Sequence, residues 1–158
     1  MEGLLGALPH NDLPELARSI SERTVQRLTA ADHVLRVISS DVAQSDTLNT
    51  ISSSARLDAF TNVTLFQEEG PPIVLKGSVQ SFGELEASTL EHLSNGRTAL
   101  ITNRIGTYAK PALLRTVRLA SAQPETLLIA EVSADYLWHA GQPPDRRYRL
   151  CVTDAANN

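Results

Sequence analysis

The sequence contains one cysteine, few aromatic residues and no long apolar run. Its one thiol is Cys151, so no disulfide can form within the chain. Only 4% of the residues are aromatic, and the core must therefore be built mainly from Leu, Val, Ile and Ala. No run of about 18 apolar residues occurs, so we expect no membrane span in this sequence. The N-terminus also lacks the basic and apolar regions of a signal peptide, and any targeting segment is expected outside it.

The charge pattern argues against nucleic-acid binding. The chain has 14 basic and 18 acidic residues, a formal net charge of −4, and no basic block. The sequence therefore has no cluster of Lys and Arg that could contact the phosphates of a nucleic acid. With 42% apolar and 20% charged residues in 158 positions, the chain is expected to fold as one domain, with or without appendages.

Motifs for chemistry are also missing. No histidine pair has metal-ligand spacing, and neither a glycine-rich phosphate loop nor a nucleophile elbow is present. The carboxylate pairs Glu68-Glu69, in a turn, and Glu84/Glu86, on a predicted helix, are expected to be solvated. We predict no metal, no cofactor and no enzymatic activity, although an enzyme with an unrecognised site stays as an alternative.

A long amphipathic helix is the strongest local signal. Asp12 and Glu15 fit a capping box, with Pro14 in the first turn. The predicted helix has about 28 to 30 residues, and a break is permitted near 39–41. Such a helix either crosses the whole domain or extends beyond it to a partner. Its apolar stripe comprises Leu16, Ile20, Val25, Leu28, Ala31, Leu35, Ile38 and Val42.

The pattern of most of the remaining chain predicts strands separated by turn residues. A short helical turn is predicted near Leu57, and a second short helix through Trp138, whose indole we expect to anchor that helix to the sheet rather than to contact a ligand. A helix over 82–93 is predicted to close with an αL cap at Asn95-Gly96. The predicted strands cover residues 62–67, 73–77, 98–103, 112–120, 126–132 and 148–153.

Three residues are candidate ligand contacts, on chemistry alone. Arg104 follows the predicted strand 98–103, and Tyr108 lies in the predicted loop after it, as does Lys110. Arg115 alternates with apolar residues, so it projects from a largely apolar strand face. An arginine there either pairs with a core carboxylate, for which Glu131 is the obvious partner, or faces a cavity that holds an anion. The pattern favours the ion pair or a solvent-facing side chain over the anion cavity.

One stretch of the sequence resembles a known family. Residues 128–138, LIAEVSADYLW, are followed by Pro143-Pro144 and by the strand-like 149–154, RLCVTD. Upstream, residues 93–100 read LSNGRTAL. Together with the long first helix, these segments resemble the extracytoplasmic sensor domains of bacterial membrane receptors, the Cache or PAS-like class. The family's strand at 149–154 usually begins a second hairpin, whereas this sequence ends at residue 158.

The resemblance implies an α+β fold: a PAS/Cache-like antiparallel sheet of about five strands with the long N-terminal helix packed on it. The implied organisation is a helix at 1–43, a sensor lobe at 44–142 and a C-terminal strand at 143–158. That strand either begins a second lobe or ends the domain.

The resemblance also implies a function. The chain would be a non-catalytic, periplasmic signal-sensing domain of an inner-membrane protein. Its expected partners are a small-molecule ligand and a second copy bound through the first helix. The cytoplasmic output domain would be a diguanylate cyclase, a cyclic-di-GMP phosphodiesterase or a histidine kinase. The alternative is a cytoplasmic PAS-like adaptor or scaffold domain that binds a protein partner.

Overall fold

The computed structural model describes residues 12–44, 55–68, 70–79, 82–105, 108–119 and 126–138. A 3-10 helix lies at Ala55–Ala59, in agreement with the turn predicted near Leu57. The other elements, in chain order, are α1 Asp12–Gln44, β1 Phe60–Phe66, β2 Ile73–Lys76, α2 Ala87–Ser94, β3 Ala99–Ile105, β4 Tyr108–Val117, β5 Thr126–Val132 and α3 Ala134–Trp138.

The five strands form one antiparallel sheet in the order β2-β1-β5-β4-β3. The pairing of β1 with β5 joins segments that are distant in sequence, whereas β4 and β5 are consecutive strands. With α1 packed against this sheet, the predicted α+β fold is confirmed.

The two faces of the sheet carry separate apolar cores, because successive residues of a strand point to opposite sides. The larger core lies under α1 and also takes in Leu57, Leu137 and Trp138. The smaller core lies under α2 and contains Leu93, Ala112, Leu114 and Ile129. Trp138 therefore packs against the core, as predicted for an anchor.

Helix α1 is continuous over 33 residues, or about 50 Å. No break occurs near 39–41, where the Ser39 hydroxyl donates a hydrogen bond of 2.8 Å to the Leu35 carbonyl of the preceding turn. The second half of α1 is docked on the sheet, with Ala31, Leu35, Ile38 and Val42 almost fully buried.

The first half of α1 is mostly exposed. Leu16 keeps 44% of its surface and Val25 62%. Ile20 is half-buried and lies five turns before Ile38, on the same side of the helix. Val25 lies nine residues after Leu16 and thus on the opposite side, so it does not belong to the stripe assigned from sequence.

Arg27 and Tyr136 join α1 to α3. The Arg27 guanidinium donates to the carbonyl oxygens of Tyr136 and Leu137, at 2.8 and 2.9 Å. The Tyr136 hydroxyl donates back to the Arg27 carbonyl at 3.4 Å. Carbonyls in the last turn of a helix have no partner within it, so this arginine caps α3 and fixes it to α1.

The helix predicted over 82–93 is shorter than expected. It begins at Ala87, and residues 82–86 have no regular structure. Phe82 and Leu85 still pack against the smaller core, and the Phe82 ring meets Phe66 edge-on at 6.2 Å. For residues 82–86, the apolar spacing therefore predicted the buried positions correctly but predicted a helix wrongly. The predicted cap is confirmed by Gly96, with φ of 71°.

The fourth strand begins earlier than predicted, at Tyr108 rather than at residue 112, so Tyr108 and Lys110 lie on β4 and not in a loop. Pro111 disguised this start, because proline cannot donate to a central sheet ladder. Here β4 pairs with β5 only from Ala112 onward, and Pro111 pairs on one side only, with Thr102 of β3.

No helix among the described residues is long and apolar enough to cross a membrane. The predicted strand at 148–153, the C-terminal unit 143–158 and Cys151 lie outside the described residues.

Truncation of Leu35 tests the docking of α1. The Leu35→Ala variant should lose about 2–5 kcal/mol of unfolding free energy, since its side chain is fully buried between helix and sheet. Urea denaturation measures this loss. The matched control is Leu90→Ala, at a site 52% exposed on α2, which should change stability by about 0.5 kcal/mol or less. Equal effects at the two sites would contradict the described packing.

Candidate functional site

The three candidate residues do not form a single site. Arg104 on β3 pairs with Ala109, next to Tyr108 on β4, so these two lie at the same end of the β3–β4 pair. Arg115 lies seven residues beyond Tyr108 on the same strand, about 23 Å away at the rise of a β-strand. Only Arg115 has a described side chain, and the site is built from it.

The ion pair expected between Arg115 and Glu131 does not form. Arg115 is paired with Leu128 on β5, whose side chain belongs to the core under α1. Glu131 is an odd number of residues away from Leu128 and therefore points to the opposite face of the sheet. The Arg115 guanidinium instead donates to the Thr98 hydroxyl at 3.2 Å.

Glu131 is a buried carboxylate with partners on two other strands. Its exposure is only 1%. Lys110 of β4 lies 2.6 Å from its Oε1 atom, and the Thr61 hydroxyl of β1 donates to the same oxygen at 2.7 Å. The Asn62 amide donates to Oε2 at 3.3 Å. Both oxygens are thus satisfied, which a buried charge requires.

An irregularity in β1 makes this arrangement possible. Phe60 pairs with Val132, and Asn62 pairs with the next residue back, Glu131, so Thr61 is an extra residue in the manner of a β-bulge. Two neighbouring side chains of β1 can consequently reach one carboxylate.

The polar contacts continue to the region after β2. The Asn62 Oδ1 atom accepts a hydrogen bond from the Ser78 backbone at 2.9 Å. Gly77, with φ of 76°, permits this approach, because a Cβ there would overlap the Asn62 side chain and the Thr61 carbonyl. A chain of polar contacts thus crosses the sheet from Lys110 through Glu131 and Asn62 to Ser78. These contacts hold strands together, which is a structural role.

The environment of Glu131 keeps it ionised. Burial alone would raise its pKa, but hydrogen bonds from Lys110, Thr61 and Asn62, with the positive charge of Lys110, outweigh burial. The pKa of Glu131 is therefore held below its ordinary value of 4.5.

On the α1 side of the sheet, an open groove of about 470 Å³ separates α1 from the start of β3. Its volume lies within the range of small-ligand pockets, about 300–1,000 Å³. Both walls mix apolar and charged groups. The α1 wall has Leu28, Thr29, Asp32 and Arg36, and the opposite wall has His92, Gly96, Arg97, Thr98, Leu100 and Leu113.

The turn between α2 and β3 presents Arg97 and Thr98 to the groove. Gly96 adopts the left-handed conformation that ends α2. His92 then fixes the turn, with its Nε2 atom 3.2 Å from the Thr98 carbonyl. A carbonyl can only accept, so Nε2 carries the hydrogen. Arg97 is exposed, and within the described part of the chain nothing pairs with its guanidinium.

Arg115 supports this site from behind Thr98. Because the Thr98 Oγ1 atom accepts from Arg115, its own hydrogen is directed elsewhere, and among the described residues it meets no acceptor. The positive guanidinium polarises the hydroxyl and makes it a better donor. The core ion pair expected for Arg115 is therefore wrong, and the other sequence alternatives, a solvent-facing side chain and a cavity that holds an anion, stay predictions.

The groove is locally cationic in an acidic chain. Two arginines, Arg36 and Arg97, line the groove, and Arg115 lies behind it. The lining contains one carboxylate, that of Asp32, so the positive charges outnumber the negative ones. The Asp32 Oδ2 atom pairs with Arg36 at 2.7 Å. The Oδ1 atom is buried and finds no hydrogen-bond partner in the described structure. The full chain has a formal charge of −4, so this positive groove runs against the overall balance.

Sequence reasoning identified Arg115, which supports the groove from behind Thr98, but missed the charged and polar residues that line the groove. Asp32, Arg36, Arg97 and Thr98 come from two distant segments, and only the fold brings them together. The one available signal was Asn95-Gly96, which marks a turn that exposes the next two residues.

The described residues include no group of three or more His, Cys, Asp or Glu side chains placed to hold a metal ion. We found no protein-family model and no curated protein that match this sequence. Neither result assigns the chain to a family.

Replacement of Glu131 tests the buried carboxylate. At about pH 7 the Glu131→Gln variant should lose roughly 1.5–3 kcal/mol of unfolding free energy, the value of hydrogen bonds to a charged group. Because the folded pKa is lowered, this stabilisation is complete well above pH 4.5 and is lost as the pH falls through the folded value. Urea denaturation over this pH range measures the difference.

The control is Glu84→Gln, an exposed carboxylate, which should have little effect at any pH. A Glu131→Gln penalty that stayed constant from neutral to acidic pH would rule out the ionised form as the source of the stability.

Proposed function

We propose that this chain is a non-catalytic sensing domain that passes a ligand-dependent signal along α1. The observation that carries the proposal is the division of α1 into two halves. The half containing Leu35 and Ile38 is docked on the sheet, and the half containing Leu16 is largely exposed. One rigid element thus connects the folded body to a surface outside it.

The groove gives a ligand access to this helix. Its walls belong to α1 on one side and to β3, β4 and the turn after α2 on the other. A ligand held between them contacts both parts and can favour one helix position over another, provided that its affinity for the two differs.

The second contact of α1 limits how it can move. Arg27 holds the carbonyls of α3, and α3 directly follows β5 at the centre of the sheet. The helix is therefore tied at Arg27 and at its buried stripe, and movement at the groove should act on the exposed segment before Arg27.

The cellular setting is proposed from the resemblance. The segments at 93–100, 128–138 and 149–154 resemble periplasmic sensor domains of inner-membrane receptors. In this setting α1 would relay the signal to a membrane segment and then to a cytoplasmic output domain of the cyclase, phosphodiesterase or kinase type. The five-stranded antiparallel sheet with a long first helix agrees with the fold that the resemblance implies.

The gene sequence on both sides of these residues tests the setting. We expect apolar runs of about 20 residues flanking the domain and a signalling module after the second one. A gene that encodes these 158 residues alone would contradict the receptor proposal. The cytoplasmic adaptor would then replace it, with the exposed half of α1 as the protein-binding surface.

Dimerisation through α1 belongs to the proposal. Leu16 and Ile20 extend the buried stripe beyond the sheet, and two such stripes can pair in a second copy of the chain. The Leu16→Glu variant should therefore shift the chain from dimer to monomer in sedimentation equilibrium. Its unfolding free energy in dilute solution should stay within about 0.5 kcal/mol of the parent, because the site is exposed.

Val25→Glu is the matched control, since it places the same charge on an exposed aliphatic position on the opposite side of the helix. It should leave the dimer intact. Dissociation by Val25→Glu but not by Leu16→Glu would place any interface on another face, and a parent chain that is monomeric at high concentration would contradict helix pairing.

A further inference from the structure

The groove beside α1 has the composition of a site for a small anion with an apolar body. We propose that it binds a carboxylate whose charged end lies at Arg97 and Thr98 and whose hydrocarbon part lies along Leu28, Leu100 and Leu113. This inference deepens the proposed sensing function by naming the chemical class of the ligand.

The charged end of the ligand is placed by two donors, one of which is supported by a third residue. Arg97 offers a guanidinium that nothing in the described structure engages, and the planar fork of arginine matches a carboxylate. The neighbouring Thr98 hydroxyl has an unused hydrogen, and Arg115 enhances its donor strength from behind. Arg115 is thus a positioning residue, because it acts on the anion through Thr98.

The other wall of the groove fixes the orientation. Asp32 would repel an anion from the α1 side, and Arg36 is already paired with it. The charged end is therefore directed toward the turn after α2.

The apolar part of the ligand is placed by leucines from three elements. Leu28 comes from α1, Leu100 from β3 and Leu113 from β4. Leu100 is one of the more exposed large apolar side chains of the described structure, so contact with a hydrocarbon chain would remove apolar surface from water. A small inorganic anion would leave this part of the groove unused.

The test uses hexanoate as the probe and the full 158-residue chain. Titration of isotope-labelled protein, followed by amide chemical shifts, should show saturable changes at Gly96, Arg97 and Thr98. Acetate has the same charge without the apolar body and should bind about tenfold or more weakly, as expected for the burial of several methylenes. Hexylamine has the same chain with the opposite charge, and inorganic phosphate has charge alone; neither should compete with hexanoate.

Variants separate the contributions. Arg97→Gln and Thr98→Val should each weaken hexanoate binding about tenfold, the cost of one charge-assisted hydrogen bond. Thr98→Ser retains the hydroxyl and should restore binding. Arg115→Gln should weaken binding in the parent but have little further effect in Thr98→Val, because it acts through that hydroxyl. Arg18→Gln, an exposed arginine of α1 outside the groove, is the control, and thermal unfolding of each variant checks its fold.

Several results would overturn the inference: equal affinity for acetate or phosphate, stronger binding of hexylamine, or an unchanged affinity in Thr98→Val. These outcomes are distinct from failure of the sensing function. Hexanoate binding by a chain whose gene lacks membrane segments would leave the inference standing without the receptor. A gene that encodes a membrane receptor, together with a chain that does not bind hexanoate, would leave the receptor proposal standing and overturn the carboxylate site.

Discussion

Burial of one helix stripe on one sheet face is the interaction on which the structure depends. Leu35, Ile38 and Val42 of α1 cover the face formed by residues such as Leu128 and Val132. Without this cover the central strand would expose its apolar side to water, at a cost of roughly 25 cal/mol for each Å². The same docking holds the second half of α1 on the sheet beside the groove and leaves the first half to project. A ligand-dependent shift of the helix at the groove would therefore be carried into the projecting half, which is the physical basis of the proposed signalling role.

The two faces of the sheet use charge differently. On the face away from α1, Glu131 is fully partnered by Lys110, Thr61 and Asn62, and these contacts tie strands together. On the α1 face, Arg115 donates to the Thr98 hydroxyl, and Thr98 lines a cationic groove. A satisfied buried charge is expected of a structural site, whereas donors that face solvent beside apolar walls are expected of a binding site.

The sequence predicted the elements better than their connections. Strand β5 and the cap at Gly96 followed from local pattern, and so did the long helix, because periodicity and turn residues determine them. The start of β4 was missed because Pro111 reads as a strand breaker, and only the one-sided pairing at that point explains its tolerance. The partner of Glu131 was also missed. The side that each strand residue faces depends on register, and register depends on pairings between distant segments.

Amide hydrogen exchange along α1 tests the central claim most directly, since it reports the stability of each helical turn. In dilute, monomeric protein, residues 31–42 should exchange as slowly as β5, because both open only when the shared core opens. Residues 16–24 should exchange faster by several orders of magnitude, since little tertiary contact covers them. Uniform protection along the whole helix would contradict its division into a docked half and a projecting half.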